Sequence, residues 1–174
     1  MRSSRGSEKS NLPPALIEFS CLQSGSEYAC AKMLEKYAGW KGIDGATMQI
    51  KVGRAVFDFR IHNTFIEYHP VSLKREFITN GMSEISSAIH NLPRRNKIEV
   101  LKAIATELEA QYAKRRSQIL SAHPVYGEMG FICVHTPEEF IHRVLGKFAT
   151  GPCGDALSMK REFNKLRKDF TVLR

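Results

Sequence analysis

Two carboxylates and a histidine in close sequence order carry the chemistry of this chain: Asp58 in Phe57-Asp58-Phe59, and Glu67 in Ile66-Glu67-Tyr68-His69. Both lie in runs of aromatic and β-branched residues that read as strands. His62-Asn63 between them fits a two-residue hairpin turn, with Asn63 the residue that tolerates a left-handed backbone. A turn there sets the pairing: Asp58 opposes Glu67, Val56 opposes His69 and Arg60 opposes Phe65. Side chains alternate along a strand, so Asp58, Glu67 and His69 are expected on one face. Opposed carboxylates repel, at a cost of a few tenths to about 1 kcal/mol. A cation between them removes that cost, and oxygen donors of this kind suit Mg²⁺ or Mn²⁺. The plainer alternative is a solvated sheet face with Arg60 as the neutralising charge. Phe57, Phe59, Ile61, Ile66 and Tyr68 make the strands too apolar for an isolated surface hairpin, which favours a functional pair.

The chain has 174 residues, 43% of them hydrophobic, enough for one domain with its own core. Its net charge is +8 and its pI about 9.5, a balance that favours a polyanionic partner such as nucleic acid. No stretch approaches the roughly 20 apolar residues that span a bilayer, and no apolar run follows the basic N-terminus as in a secretory signal. The expectation is a cytoplasmic protein with no membrane partner. Cys21, Cys30, Cys133 and Cys153 have no CxxC spacing, which fits free thiols in a reducing compartment. Cys133-Val134-His135 is either half of a metal site or, more plainly, a small buried thiol in an apolar strand.

The elements that position the pair follow in order. Residues 1–23 read as a polar tail, with Leu16-Ile17-Glu18-Phe19 as a short packed piece. Ser24 and Glu27 have the capping-box spacing and open a helix that Gly39 can end. Tyr28, Ala31, Leu34 and Ala38 mark its buried face, and Glu27 is either a cap or a third carboxylate. Residues 40–46 read as a loop, and Gly53-Arg54 as the turn between the first two strands. Lys74 follows the third strand, and 83–90 reads as a short helix. Asn96 is the expected cap of the longest helix, with Ile98, Leu101, Ala105, Leu108, Tyr112 and Ile119 as its apolar stripe. Lys114, Arg115 and Arg116 near its end are either a solvated face or a phosphate clamp. Residues 129–135 form an apolar strand expected inside the sheet. Thr136-Pro137-Glu138-Glu139 starts a helix to about Phe148, and a basic helix covers 155–169. The economical fold is α/β: a mixed central sheet of about four strands flanked by helices. It divides into a tail (1–23), a core domain (24–150) and a basic C-terminal helix packed on it (151–174).

This order and these carboxylates resemble the PD-(D/E)XK nuclease superfamily, the restriction-endonuclease-like fold, over roughly residues 24–148. In that family an early helix carries a glutamate, a hairpin carries an aspartate and then Glu-x-Lys, and a crossover helix, a strand and a helix complete the core. Glu27 (or Glu35), Asp58 and Glu67-Tyr68-His69 occupy those places here. The resemblance implies a Mg²⁺- or Mn²⁺-dependent nuclease, an endonuclease on DNA rather than RNA. Asp58, Glu67 and the Tyr68 carbonyl would hold metal, with Glu27 beside them. The family's lysine is replaced by His69. Histidine can accept a proton near neutral pH; Lys51 or Lys74 could supply the ammonium instead; or the site could have lost catalysis. Lys114, Arg115 and Arg116, with Lys74, would bind phosphates. Three readings stay open: a nuclease, a non-catalytic nucleic-acid-binding or assembly subunit, and an unrelated basic α/β protein with two wet carboxylates. The small size leaves targeting to substrate shape, to a homodimer or to a partner.

Overall fold

The computed structural model describes residues 22, 24–40, 48–73 and 83–172. The tail, the 41–47 loop and Lys74 therefore lie outside the described residues. The described elements are α1 (Gly25–Ala38), β1 (Met48–Val52), β2 (Ala55–Ile61), β3 (Thr64–Tyr68), α2 (Ser83–His90), α3 (Arg94–Ser121), β4 (Gly130–Val134), α4 (residues 137–148) and α5 (Ala156–Val172). Within α4, Phe140–Leu145 is wound as a π-helix.

The sheet order is β1-β2-β3-β4. The first three strands form an antiparallel meander, and β4 joins β3 in parallel after the crossover through α2 and α3. An α/β fold with a four-stranded mixed sheet flanked by helices is thus what the chain adopts. β4 is an edge strand, not an inner one. Its Ile132, Cys133 and Val134 are buried because helices cover the faces, which explains an apolar run at a sheet edge.

The local signals act through ordinary chemistry. Ser24 Oγ accepts from the Glu27 amide at 3.1 Å, and Gly39 ends α1 at φ 62°. Gly53 takes φ 61° in the first hairpin. Thr136 Oγ1 accepts from the Glu139 amide at 3.2 Å to open α4. The second hairpin turn departs from expectation: His62, not Asn63, adopts the positive φ, at 50°. α3 starts at Arg94 behind Pro93 rather than at an Asn96 cap.

Two apolar clusters lie on either side of the sheet. One joins β-strand residues Met48, Phe59, Ile61, Ile66 and Tyr68 to α1, to α4 and to Met159, Phe163 and Phe170 of α5. α5 is therefore part of the same body as the core. α1 is buried on more than one side because α5 lies against it, with the Tyr28 and Phe170 rings stacked at 5.2 Å. Their approach is close: a Cβ on Gly25 would stand 2.5 Å from the Arg167 carbonyl oxygen. The other cluster joins Ile50, Val52, Phe57 and Phe65 to Leu120 of α3. The expected α3 stripe is only half-buried, at Leu101, Ala105, Leu108 and Tyr112. Ile98 and Ile119 are 46% and 39% exposed, and Leu120 is the buried residue of that helix.

Candidate functional site

Asp58 stands where the strands change phase. Regular alternation would put Phe57, Phe59 and Ile61 on one face. Phe57 instead packs with Phe65, at a ring distance of 5.3 Å, while Phe59 and Ile61 belong to the opposite cluster. Across the ladder, Met48 and Ile50 are divided in the same way, and Gln49 between them has φ 49°. The hairpin register is the expected one, with Phe59 on Ile66, Arg60 on Phe65 and Ile61 on Thr64. The expected single face does not extend to Asp58. Its Oδ2 accepts from the Tyr68 amide at 2.8 Å, so the carboxylate reaches across to β3 and takes up a strand N–H.

Glu67 faces α3. Tyr112 and Arg116 lie one helical turn apart and meet it together. The Tyr112 hydroxyl donates to Oε1 at 2.5 Å, and Arg116 Nη2 donates to Oε2 at 2.9 Å. Arg116 Nη2 also donates to the Val56 carbonyl, and its guanidinium lies 4.0 Å from the centre of the Phe57 ring. Its Nε is buried without a hydrogen-bond partner among the described residues. His69 stacks flat on Tyr112, centroids 3.6 Å apart and planes 5° from parallel.

Asp58 and Glu67 are 9% and 4% exposed, so neither sits on a wet face. The charge at Glu67 is Arg116, not Arg60. Burial, then Glu67, then Glu27 push the Asp58 carboxyl well above the usual carboxylate range, against the Tyr68 amide and Arg116. Asp58 thus feels charge from both layers, Glu27 on the α1 side and Glu67 with Arg116 on the α3 side. Glu27 is at once a cap and a neighbour: Oε1 accepts from Ser24 Oγ at 3.3 Å and Oε2 from Gln49 Nε2 at 3.4 Å.

The other expected residues divide. Lys51 is exposed opposite Val56, toward the Gly53 turn, and Gln49 rather than Lys51 reaches the Glu27 carboxylate. Arg116, expected to face phosphates, is turned inward, while Lys114 and Arg115 are exposed. The Tyr68 amide is what meets Asp58; its side chain packs against Phe140 and Phe163. Cys133 is a buried thiol pushed up to about 12, first by burial and then by Glu67. Sequence reasoning missed Tyr112, which it assigned to an apolar stripe. The signal was present as Tyr112 and Arg116 at four-residue spacing.

The donors are hard oxygens, the type Mg²⁺ and Mn²⁺ take. Among the described residues no three of His, Cys, Asp and Glu are grouped to hold a metal ion. Mg²⁺ is commonly held by one or two carboxylates, with water and phosphate in its other positions. Two carboxylates fit that demand, provided Glu67 leaves Arg116. Among the described residues no helix is long and apolar enough to cross a membrane. No family model matches the chain, no curated protein matches its sequence and no solved structure matches its fold.

Proposed function

We propose that this chain is a metal-dependent nuclease that hydrolyses phosphodiester bonds in DNA, with Mg²⁺ or Mn²⁺ as cofactor, on a restriction-endonuclease-like fold. The observation that carries the reading is Asp58, a carboxylate 9% exposed and set in the field of Glu67 and Glu27. Burial and like charge both disfavour the ionised form. The Tyr68 amide and Arg116 offset part of that cost, and a divalent cation held by Asp58 and Glu67 would offset the like-charge part. Element order supports the same reading. A helix with a glutamate, an antiparallel meander with an aspartate on its second strand and a glutamate on its third, a crossover helix and a parallel strand is the order of PD-(D/E)XK nucleases.

Asp58 and Glu67, with the Tyr68 carbonyl, would hold the ion. When bound, it would lower the pKa of an attacking water and neutralise charge growing on the phosphate. Arg116, released from Glu67, would donate to a phosphate oxygen. His69, kept in one orientation by Tyr112, would orient the water or accept its proton. Lys114 and Arg115 would grip flanking phosphates without reading sequence.

A second reading, a non-catalytic nucleic-acid-binding or assembly subunit, is favoured by one observation: both oxygens of Glu67 are already engaged by Tyr112 and Arg116. Incubation of supercoiled, branched and single-stranded DNA with Mg²⁺, Mn²⁺ or EDTA separates the two. Metal-dependent cutting that disappears in Glu67→Ala, with its fold verified by circular dichroism, supports the nuclease. No cutting, with salt-sensitive DNA binding that survives the substitution, supports the subunit.

A further inference from the structure

On the face of the sheet that carries Glu67, α3, β4 and α4 line an open cleft of about 460 Å³. The parallel register sets Phe131 beside Phe65 and Cys133 beside Glu67. Phe131, Cys133 and His135 therefore extend the Glu67 row sideways as the floor of the cleft. Lys114 and Ser117 stand on its α3 wall and Arg143 on its α4 side.

The polar groups are held in position. Arg143 Nη1 donates to the Cys133 carbonyl at 2.7 Å, which fixes an exposed guanidinium over β4. His135 Nδ1 lies 2.7 Å from the His69 carbonyl oxygen. A carbonyl only accepts, so Nδ1 carries the proton of that bond. Nε2 lies 3.8 Å from Cys133 Sγ. One fixed guanidinium, the Lys114 ammonium, a hydroxyl and an aromatic floor are the groups that recognise a phosphate joined to a flat ring.

We propose that this cleft receives one nucleotide unit of the substrate strand, its phosphate against Lys114 and Arg143 and its base against Phe131, next to the Glu67 site. The assignment rests on the nuclease reading. The volume is of small-molecule size and suits a single nucleotide unit. Glu109, also on the α3 wall, adds an acceptor for an exocyclic amine and opposes a row of several phosphates. A nucleotide must leave its stack to enter, which costs least where the strand is single, frayed or branched. Cutting is therefore directed to unpaired positions.

The test is a titration of the full chain in EDTA, by NMR or calorimetry, with a deoxynucleoside 5′-monophosphate and, separately, inorganic phosphate. EDTA removes metal-mediated binding at Asp58 and Glu67, the two cleft substitutions report on the cleft, and metal-dependent plasmid cutting is measured separately and reads the nuclease. The nucleotide binds saturably and about tenfold or more tighter than phosphate. Arg143→Ala, at an exposed position, and Ala113→Phe, which fills the cleft, each weaken it about tenfold. Absence of saturable binding overturns the assignment, as does binding indifferent to both substitutions. Phosphate binding as tightly as the nucleotide overturns it too, because the cleft is then an anion site only.

Discussion

One nitrogen of Arg116 spans the carboxylate of Glu67: Nη2 lies 2.8 Å from Oε1 and 2.9 Å from Oε2, and the two side chains are 13% and 6% exposed. Removing one member of such a pair leaves an uncompensated buried charge. Arg116→Ala should therefore lose about 3–5 kcal/mol, while Arg116→Leu with Glu67→Leu should lose much less. Urea denaturation of both variants measures this. A double variant less stable than Arg116→Ala contradicts the coupling.

Asp58 gives stability a pH dependence of known sign. Its carboxyl is raised in the folded state by burial, Glu67 and Glu27, so the folded chain holds that proton more tightly than the unfolded one. The stability it contributes is complete below the unfolded value. It falls as pH rises through the raised value. Asp58→Asn keeps an oxygen for the Tyr68 amide and removes the charge. Its melting temperature should exceed that of the wild type at pH 8 and approach it at pH 4. A difference constant with pH contradicts this.

Tyr112 serves two residues, and two substitutions divide its roles. Tyr112→Phe keeps the stack on His69 and loses the hydrogen bond to Glu67, which costs about 1.5–3 kcal/mol for a bond to a charged group. Tyr112→Ala also releases His69. If His69 acts on the attacking water, cleavage falls further in Tyr112→Ala than in Tyr112→Phe once both are shown to be folded. Equal losses would remove His69 from the chemistry.

Lys114 and Arg115 are exposed, so their charge is available to phosphates. Replacing either with Ala should leave stability within about 0.5 kcal/mol. Each should weaken DNA binding uniformly across sequences and reduce the slope of log affinity against log salt by about 1. Titrations at several salt concentrations give the slope. An unchanged slope places DNA elsewhere.

Much of this architecture was legible because it is local. Ser24 with Glu27, Gly39, Gly53 and Thr136 with Glu139 each make one short-range backbone demand that a residue type meets. The hairpin register followed from its turn, although His62 rather than Asn63 takes the left-handed position. The phase change at Asp58 was not legible. It depends on Gln49 lying across the ladder and on a side chain replacing a strand acceptor, neither of which alternation encodes. The inward turn of Arg116 was hidden for a similar reason. A basic run near a helix end reads as solvated, and the choice of which arginine is buried depends on where α3 crosses β3. The α3 stripe differs in degree: 3–4-residue spacing marks an apolar face but does not say how deeply it is buried, and Ile98 and Ile119 stay exposed.

Asp58 and Glu67 are proposed to serve metal-assisted phosphodiester cleavage. The most direct measurement is nicking of supercoiled plasmid by the wild type and by Asp58→Asn, in Mg²⁺ and in EDTA, with DNA affinity recorded for both. Because Asp58→Asn should fold at least as well as the wild type, lost cutting cannot be lost structure. Mg²⁺-dependent nicking by the wild type is expected, abolished in Asp58→Asn with binding retained. Equal nicking by both proteins, or none by either while both bind DNA alike, would contradict it.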